Sequence, residues 1–313
     1  MCEGVHCLLV ELSSGDREEQ RFVGRSFALS LASSLTGLPA ASLAWERPSA
    51  LSKPHVVCSS SSSGGSSAPV AGINISHEGR LLAVAFAAAP SASGAAPCIG
   101  VDAQSRGRAA AALASPYSGG GAGEALLLGG AGGTATALPT PRALSAAEGA
   151  GAECALLFSL RWTLMEAVLK AKGEGLAVEG AGAAVLASAV EEEEEGEKED
   201  RGGGKKVASQ GRPSPPSLCL WGARLPSSSS SWREGPAVET VAAAAVAKAA
   251  QPPSAAEDAS CSGTHATAPV EAVPFRVLAR FRGPGWRATT CAVDWPSSSS
   301  SHTLTVAQLS TPL

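Results

Sequence analysis

Residues 72–89, GINISHEGRLLAVAFAAA, decide the fold class. Two short runs of branched and apolar residues flank Glu78-Gly79, so the segment reads as strand, tight turn and strand. Working outward, VHCLLVEL at 5–12 reads as a short buried strand, and CIGVDA at 98–103 as another that ends on an acid. Residues 21–38, with Arg21 and Arg25, suit a helix, and Leu43 to Val57 is extended between the breaks Pro48 and Pro54. ECALLFSLRWTLMEAVLKAK at 153–172 carries the strongest helix signal, with Gly173 as its stop. Trp162, Glu166 and Lys170 fall on one face of it at four-residue spacing. GEGLAVEG then turns into a strand, and further strands fall at 217–224, 274–282, 288–295 and 303–309. Strands, helix and strands in this order predict an α+β fold of two pseudo-symmetric α/β halves.

Composition sets the limits. Of 313 residues, 44% are hydrophobic but only 4% aromatic, and alanine makes up much of the apolar count, so the core is smaller than the length suggests. Glycine and alanine runs mark 106–152 as a low-complexity insertion. A second set, acidic and Ser/Ala-rich, covers about 185–270 and includes EEEEEGEKEDRGGGKK at 191–206, a solvated charge block. The expected organisation is an N-terminal half at 1–105, that insertion, and a C-terminal half at 153–313. A net charge of −4 gives no pull toward nucleic acid, and no apolar run reaches the roughly 20 residues that cross a bilayer. The N-terminus has no basic leader, so a cytosolic protein with its eight scattered cysteines reduced is expected. Gly202-Gly203-Gly204-Lys205-Lys206 lacks the hydroxyl residue that a P-loop places after its lysine.

Three places carry chemistry. Asp102 ends an apolar strand, where a carboxylate needs a partner such as a metal to offset desolvation. Glu166 shares a helix face with Lys170. Ser76-His77 closes the strand of the first hairpin.

Ile-Asn-Ile-Ser-His, then Ile-Gly-Val-Asp, then Trp-Thr-Leu-Met-Glu-Ala-Val-Leu-Lys-Ala-Lys-Gly-Glu-Gly-Leu occur in that order. The set resembles the 4′-phosphopantetheinyl transferase superfamily, in its larger, pseudo-dimeric type typified by the surfactin synthetase activator. The resemblance covers 72–104 and 153–176. RPSALSKP at 47–54 is a weaker match to that family's Arg-Thr-x-x-Gly-Lys-Pro element, with Ser52 for glycine, and HTLTVA at 302–307 resembles its closing strand.

The resemblance implies two halves with coenzyme A in the cleft between them. It implies transfer of the phosphopantetheine arm to a serine of an apo acyl, peptidyl or related carrier protein, by a monomer; that no nucleic acid and no membrane is a partner is expected from the charge and hydropathy above. Asp102 and Glu166, with Gln104 at a position usually held by glutamate, match the ligands of Mg²⁺. That ion takes oxygen ligands and usually only one or two carboxylates. Glu166 and Lys170 match the catalytic pair. Ser76, His77, Lys53, Arg47, Arg25 and Lys170 match contacts to the phosphates of coenzyme A, a cationic set suited to that charge. One departure bears on activity: Met165 stands where the family has lysine. It leaves a second reading open, a chain that binds coenzyme A or a carrier protein without transferring.

Overall fold

The computed structural model describes residues 5–12, 15–47, 54–59, 70–87, 97–114, 150–174, 180–192, 218–224, 236–250, 270–294 and 301–310. Helix and strand are mixed, as the sequence predicts. β1 (Val5–Glu11) is the apolar strand expected near the N-terminus. It lies between β5 (Leu81–Ala87), which is antiparallel to it, and β8 (Leu218–Arg224), which is parallel. A strand covered on both faces has no polar side to show, hence the unbroken VHCLLV. β4 (Ile73–Glu78) makes the expected hairpin with β5, and Gly79 supplies a φ of 56° at the turn. With β9 (Glu271–Ala272), the first sheet runs β4-β5-β1-β8-β9.

Two helices cover its outer face. α1 (Arg17–Thr36) starts ahead of the predicted boundary because Asp16 caps it. The Asp16 Oδ1 atom accepts from Glu19 N at 2.8 Å, and Glu19 Oε2 accepts from Gly15 N at 3.1 Å, just ahead of the cap, so both side chains anchor the helix start. α5 (Pro236–Ala249) lies beside α1 and buries Val238, Val241, Ala242, Ala245 and Ala249. β2 (Leu43–Glu46) and β3 (His55–Cys58) form a small separate ribbon, with Leu43 and Val56 in the same core.

The second sheet runs β6 (Ile99–Ser105), β12 (His302–Leu309), β11 (Trp286–Val293), β10 (Phe275–Gly283) and β7 (Val190–Glu191), antiparallel throughout. α3 (Ala150–Lys172) and α4 (Ala181–Ser188) cover its outer face, and α2 (Arg106–Ala114) packs on α3 through Ala109 and Phe158. The sheets stack on each other: Cys7, Leu9, Ala83 and Ala85 of the first meet Val101, Cys291, Leu304 and Val306 of the second. The order of layers is helix, sheet, sheet, helix. Alternation along the strands makes it possible, since Leu8 and Val10 of β1 face α1 while Cys7 and Leu9 face the other sheet.

The sheets do not follow the expected division of the chain. β6, assigned to the N-terminal half, is an edge of the second sheet. β8, α5 and β9 come from beyond residue 153 and complete the first. The described parts of 185–270 are therefore structural rather than inserted. The Ala-rich stretch over α5 reads as low complexity, yet alanine is the best helix former and the buried positions recur at three- and four-residue spacing. The strand expected after GEGLAVEG is replaced by α4 where the chain is described; residues 175–179 lie outside the described residues, as do 115–149 and the acidic block beyond Glu192. Among the described residues no helix is long and apolar enough to cross a membrane.

Candidate functional site

β4 and β6 are edge strands of different sheets, so where the sheets stack they are joined by side chains rather than by a ladder. Alternation gives β4 one apolar row, Ile73 and Ile75, and one polar row, Asn74, Ser76 and Glu78. The polar row meets β6 and α2. The Asn74 Oδ1 atom accepts from Val101 N at 2.7 Å, and Ser76 Oγ donates to Asp102 Oδ1 at 2.7 Å. Glu78 accepts from Ser105 Oγ at 3.0 Å and from Arg108 Nη1 at 2.6 Å. Asp102 is thereby placed at the seam between the two sheets.

α3 comes down onto the same seam because Gly100 has no side chain. A Cβ there would collide with the Ala167 carbonyl oxygen and lie 2.6 Å from Ala171 N. A threonine chain fixes the helix one strand over: Thr163 Oγ1 is 2.8 Å from Thr305 Oγ1, which is 2.8 Å from Thr290 Oγ1. Thr305 is the register partner of Asp102. Held this way, α3 delivers Lys170 and Glu166. Lys170 Nζ donates to Asp102 Oδ1 at 2.6 Å, to the Val101 carbonyl at 3.2 Å and to Ser76 Oγ at 3.2 Å, and lies 3.1 Å from Glu166 Oε2. Two carboxylates converge on one cation.

The electrostatics are not those of a relaxed surface pair. The Asp102 side chain is 7% exposed. Burial, with repulsion from Glu166, pushes its carboxyl up to about 6, although Lys170 and Ser76 pull the other way. Burial on its own would lower the Lys170 ammonium, but the two carboxylates outweigh it and hold it above the ordinary lysine range. His77 sits on the outward side of β4, and partial desolvation holds it below the ordinary histidine range; the charges of Lys170 and Arg17 act the same way, against Glu78.

The donor set suits a hard cation. Asp102, Glu166 and Gln104 offer only oxygen, and Lys170 shows that a positive charge is stable between the carboxylates. Gln104 lies two residues beyond Asp102 on the same face of β6; its Oε1 is buried and has no hydrogen-bond partner among the described residues. Among the described residues no group of three His, Cys, Asp or Glu side chains could hold a metal. Two carboxylates and an amide would leave the remaining positions to water and substrate oxygens, which is the usual habit of Mg²⁺.

The fold thus brings together Ser76, Asp102, Glu166 and Lys170, with Gln104 two residues along β6 on the same face and His77 at the margin. Arg25 and Arg47 are exposed on α1 and just after β2, and among the described residues no hydrogen bond or ion pair joins either to this cluster. Lys53 lies outside the described residues. Ser76 was expected on a phosphate, but its buried hydroxyl is directed to Asp102. Trp162 stacks on Phe158 and packs against both the α2–α3 contact and the core under α3. Met165 is buried in the core between α3 and α4, where a Cβ on Gly182 would strike its sulfur. The helix position expected to bear a phosphate-binding lysine points here into an apolar interior. Sequence reasoning missed Asn74, Glu78 and Arg17; the two-residue alternation of polar groups along INISHE was the available signal for the first two.

No family model, no curated protein and no solved structure matches this chain.

Proposed function

We propose that this chain transfers 4′-phosphopantetheine from coenzyme A to a serine of an acyl or peptidyl carrier protein, and that its two sheet-and-helix layers are the two halves the reaction needs. The observation that supports this is the convergence of Asp102, Glu166 and Lys170 from two distant segments at the seam between the layers. A buried carboxylate with a raised pKa beside a second carboxylate marks a place built for chemistry rather than for stability.

In the proposed reaction the carrier serine Oγ attacks the β-phosphorus of coenzyme A. The bond from that phosphorus to the oxygen bridging toward adenosine breaks, and 3′,5′-ADP leaves. Asp102, Glu166 and Gln104 would hold Mg²⁺, which when bound neutralises pyrophosphate charge. Glu166, less enclosed than Asp102, takes the serine proton. Lys170 stays protonated, so it acts as a fixed charge and not as a base. Arg17 gives the outer rim of the seam a positive charge, and His77 beside it, held below the ordinary histidine range, offers a ring N–H, so that a phosphate can rest there.

The core position of Met165 favours one second reading, a chain that binds coenzyme A without transferring, since one cation of the resembled set is missing. The test is a mass-spectrometric transfer assay with apo carrier protein, coenzyme A and Mg²⁺, using Asp102→Asn as control. A carrier heavier by one phosphopantetheine arm with the native chain only supports the transferase. Coenzyme A binding without any modified carrier moves the conclusion to the binder. Neither binding nor transfer overturns both.

A further inference from the structure

A second candidate site lies away from Asp102, on the face of the second sheet opposite α3. A cleft opens there between Val5 and Leu218, the first residues of β1 and β8, and Arg280, Arg287 and Gln308. Its volume is about 30 Å³, and it is open to solvent on one side. Since roughly 10–15 Å³ of such space takes one water, a carboxylate-sized group fits and a folded element does not.

The arginines beside it are arranged in register. Arg282 of β10 and Arg287 of β11 are direct cross-strand partners, and Arg280 lies two residues from Arg282 on the same side of the strand. Like charges directly opposite each other destabilise a sheet, so this arrangement costs stability unless an anion answers it. Glu192 answers it in part: its Oε1 is 3.8 Å from Arg287 Nε, beyond hydrogen-bond range, and the Arg287 side chain is 45% exposed. Arg282 is exposed as well.

We propose that Arg280, Arg282 and Arg287 form a docking site for an acidic, extended polypeptide segment of a partner protein. One carboxylate enters the cleft by Arg280 and Arg287, and the next acid on the same side of the segment meets Arg282. Guanidinium forks bind carboxylates through paired hydrogen bonds, which gives the site its chemical preference. The spacing also fits, because residues two apart on a strand are about 6.8 Å apart in both receptor and ligand. The arginines face away from α3, the helix that carries Glu166 and Lys170.

The test uses the full chain and a fluorescein-labelled (Glu-Ser)₃ peptide, read by fluorescence anisotropy. The (Gln-Ser)₃ peptide and inorganic tripolyphosphate serve as competitors. The expected result is saturable binding, weakened about tenfold or more in the Arg282→Gln/Arg287→Gln double variant. It should also weaken as salt shortens the Debye length from about 10 Å toward 3 Å. Thermal melts are expected to show the double variant at least as stable as the parent, because a like-charge pair has been removed. Equal binding by the double variant overturns the proposal, as does equal binding of the glutamine peptide. Stronger competition by tripolyphosphate reassigns the site to phosphate and also overturns it. A further variant replaces the acids of 193–200 with glutamine. If only that variant binds the peptide, the chain's own acidic run is the occupant, at the high effective concentration of a tethered segment, and a partner is excluded.

Discussion

Replacing Asp102 by asparagine should make this protein more stable at neutral pH. The carboxyl is buried and its pKa is pushed from 3.8 up to about 6, so ionisation is less favourable in the folded chain than in the unfolded one. A shift of that size, at about 1.4 kcal/mol per unit, amounts to roughly 3 kcal/mol. The sign follows from proton binding. Between about pH 4 and 6 the native state holds the proton that the unfolded state has lost, so stability rises as pH falls through that window. Above it the full cost is present, and below it none. Asp102→Asn keeps the shape and removes the charge, while Lys170 keeps Glu166. The variant should therefore exceed the native chain by up to about 3 kcal/mol at pH 7, by about half of that at pH 5, and by nothing below pH 4. Urea unfolding at the three pH values, compared as differences between the two proteins, reads this directly. The same variant should lose transfer activity, the trade-off expected where a site is held at the expense of stability. A variant that is less stable than the native chain at pH 7 would show the Asp102–Lys170 pair to be a structural ion pair, and would refute the reasoning.

Three further outcomes follow from the packing around the seam. Gly100→Ala forces α3 away from β6, so a loss of about 3 kcal/mol or failure to fold is expected, with Gly107→Ala in α2, where a Cβ meets nothing, as the control that is unchanged or slightly more stable in urea unfolding. Met165→Lys should not raise turnover; it places a cation in the α3–α4 core at a cost of several kcal/mol, visible as a lowered melting temperature. His6 is buried against Phe86, its Nε2 has no hydrogen-bond partner among the described residues, and burial holds it below the ordinary histidine range. Its unfolded form takes up a proton first, so its contribution is lost as pH falls below about 6.5. His6→Phe should flatten the stability profile there, an effect opposite in sign to that of Asp102.

How much of the site was legible depended on the range of the interaction that makes each part. The α3 helix, the β4–β5 hairpin and the last three strands came from local periodicity. Residues one turn or two positions apart meet whatever the rest of the chain does, so Glu166 and Lys170 could be put on one face in advance. α5 was readable in principle and was masked by its alanine content. The exchange of β6 and β8 between the sheets left no local trace, because pairing partners more than 200 residues apart, such as β1 and β8, are chosen by which buried faces fit together.

Read alone, the amino-acid order establishes an α+β chain with an acid in an apolar strand and an acid and a lysine on one helix face. Periodicity and residue chemistry carry that much. The strand runs on to Ser105, so Asp102 stands at its middle and not at its end. Only the tertiary structure decided that Asp102 is held by Ser76 and Lys170, that Gly100 lets the helix close on the strand, and that Met165 lies in the core. Those depend on two sheets stacking so that their edges meet, and on the low dielectric created there. No residue's identity specifies either until the faces on both sides have been buried.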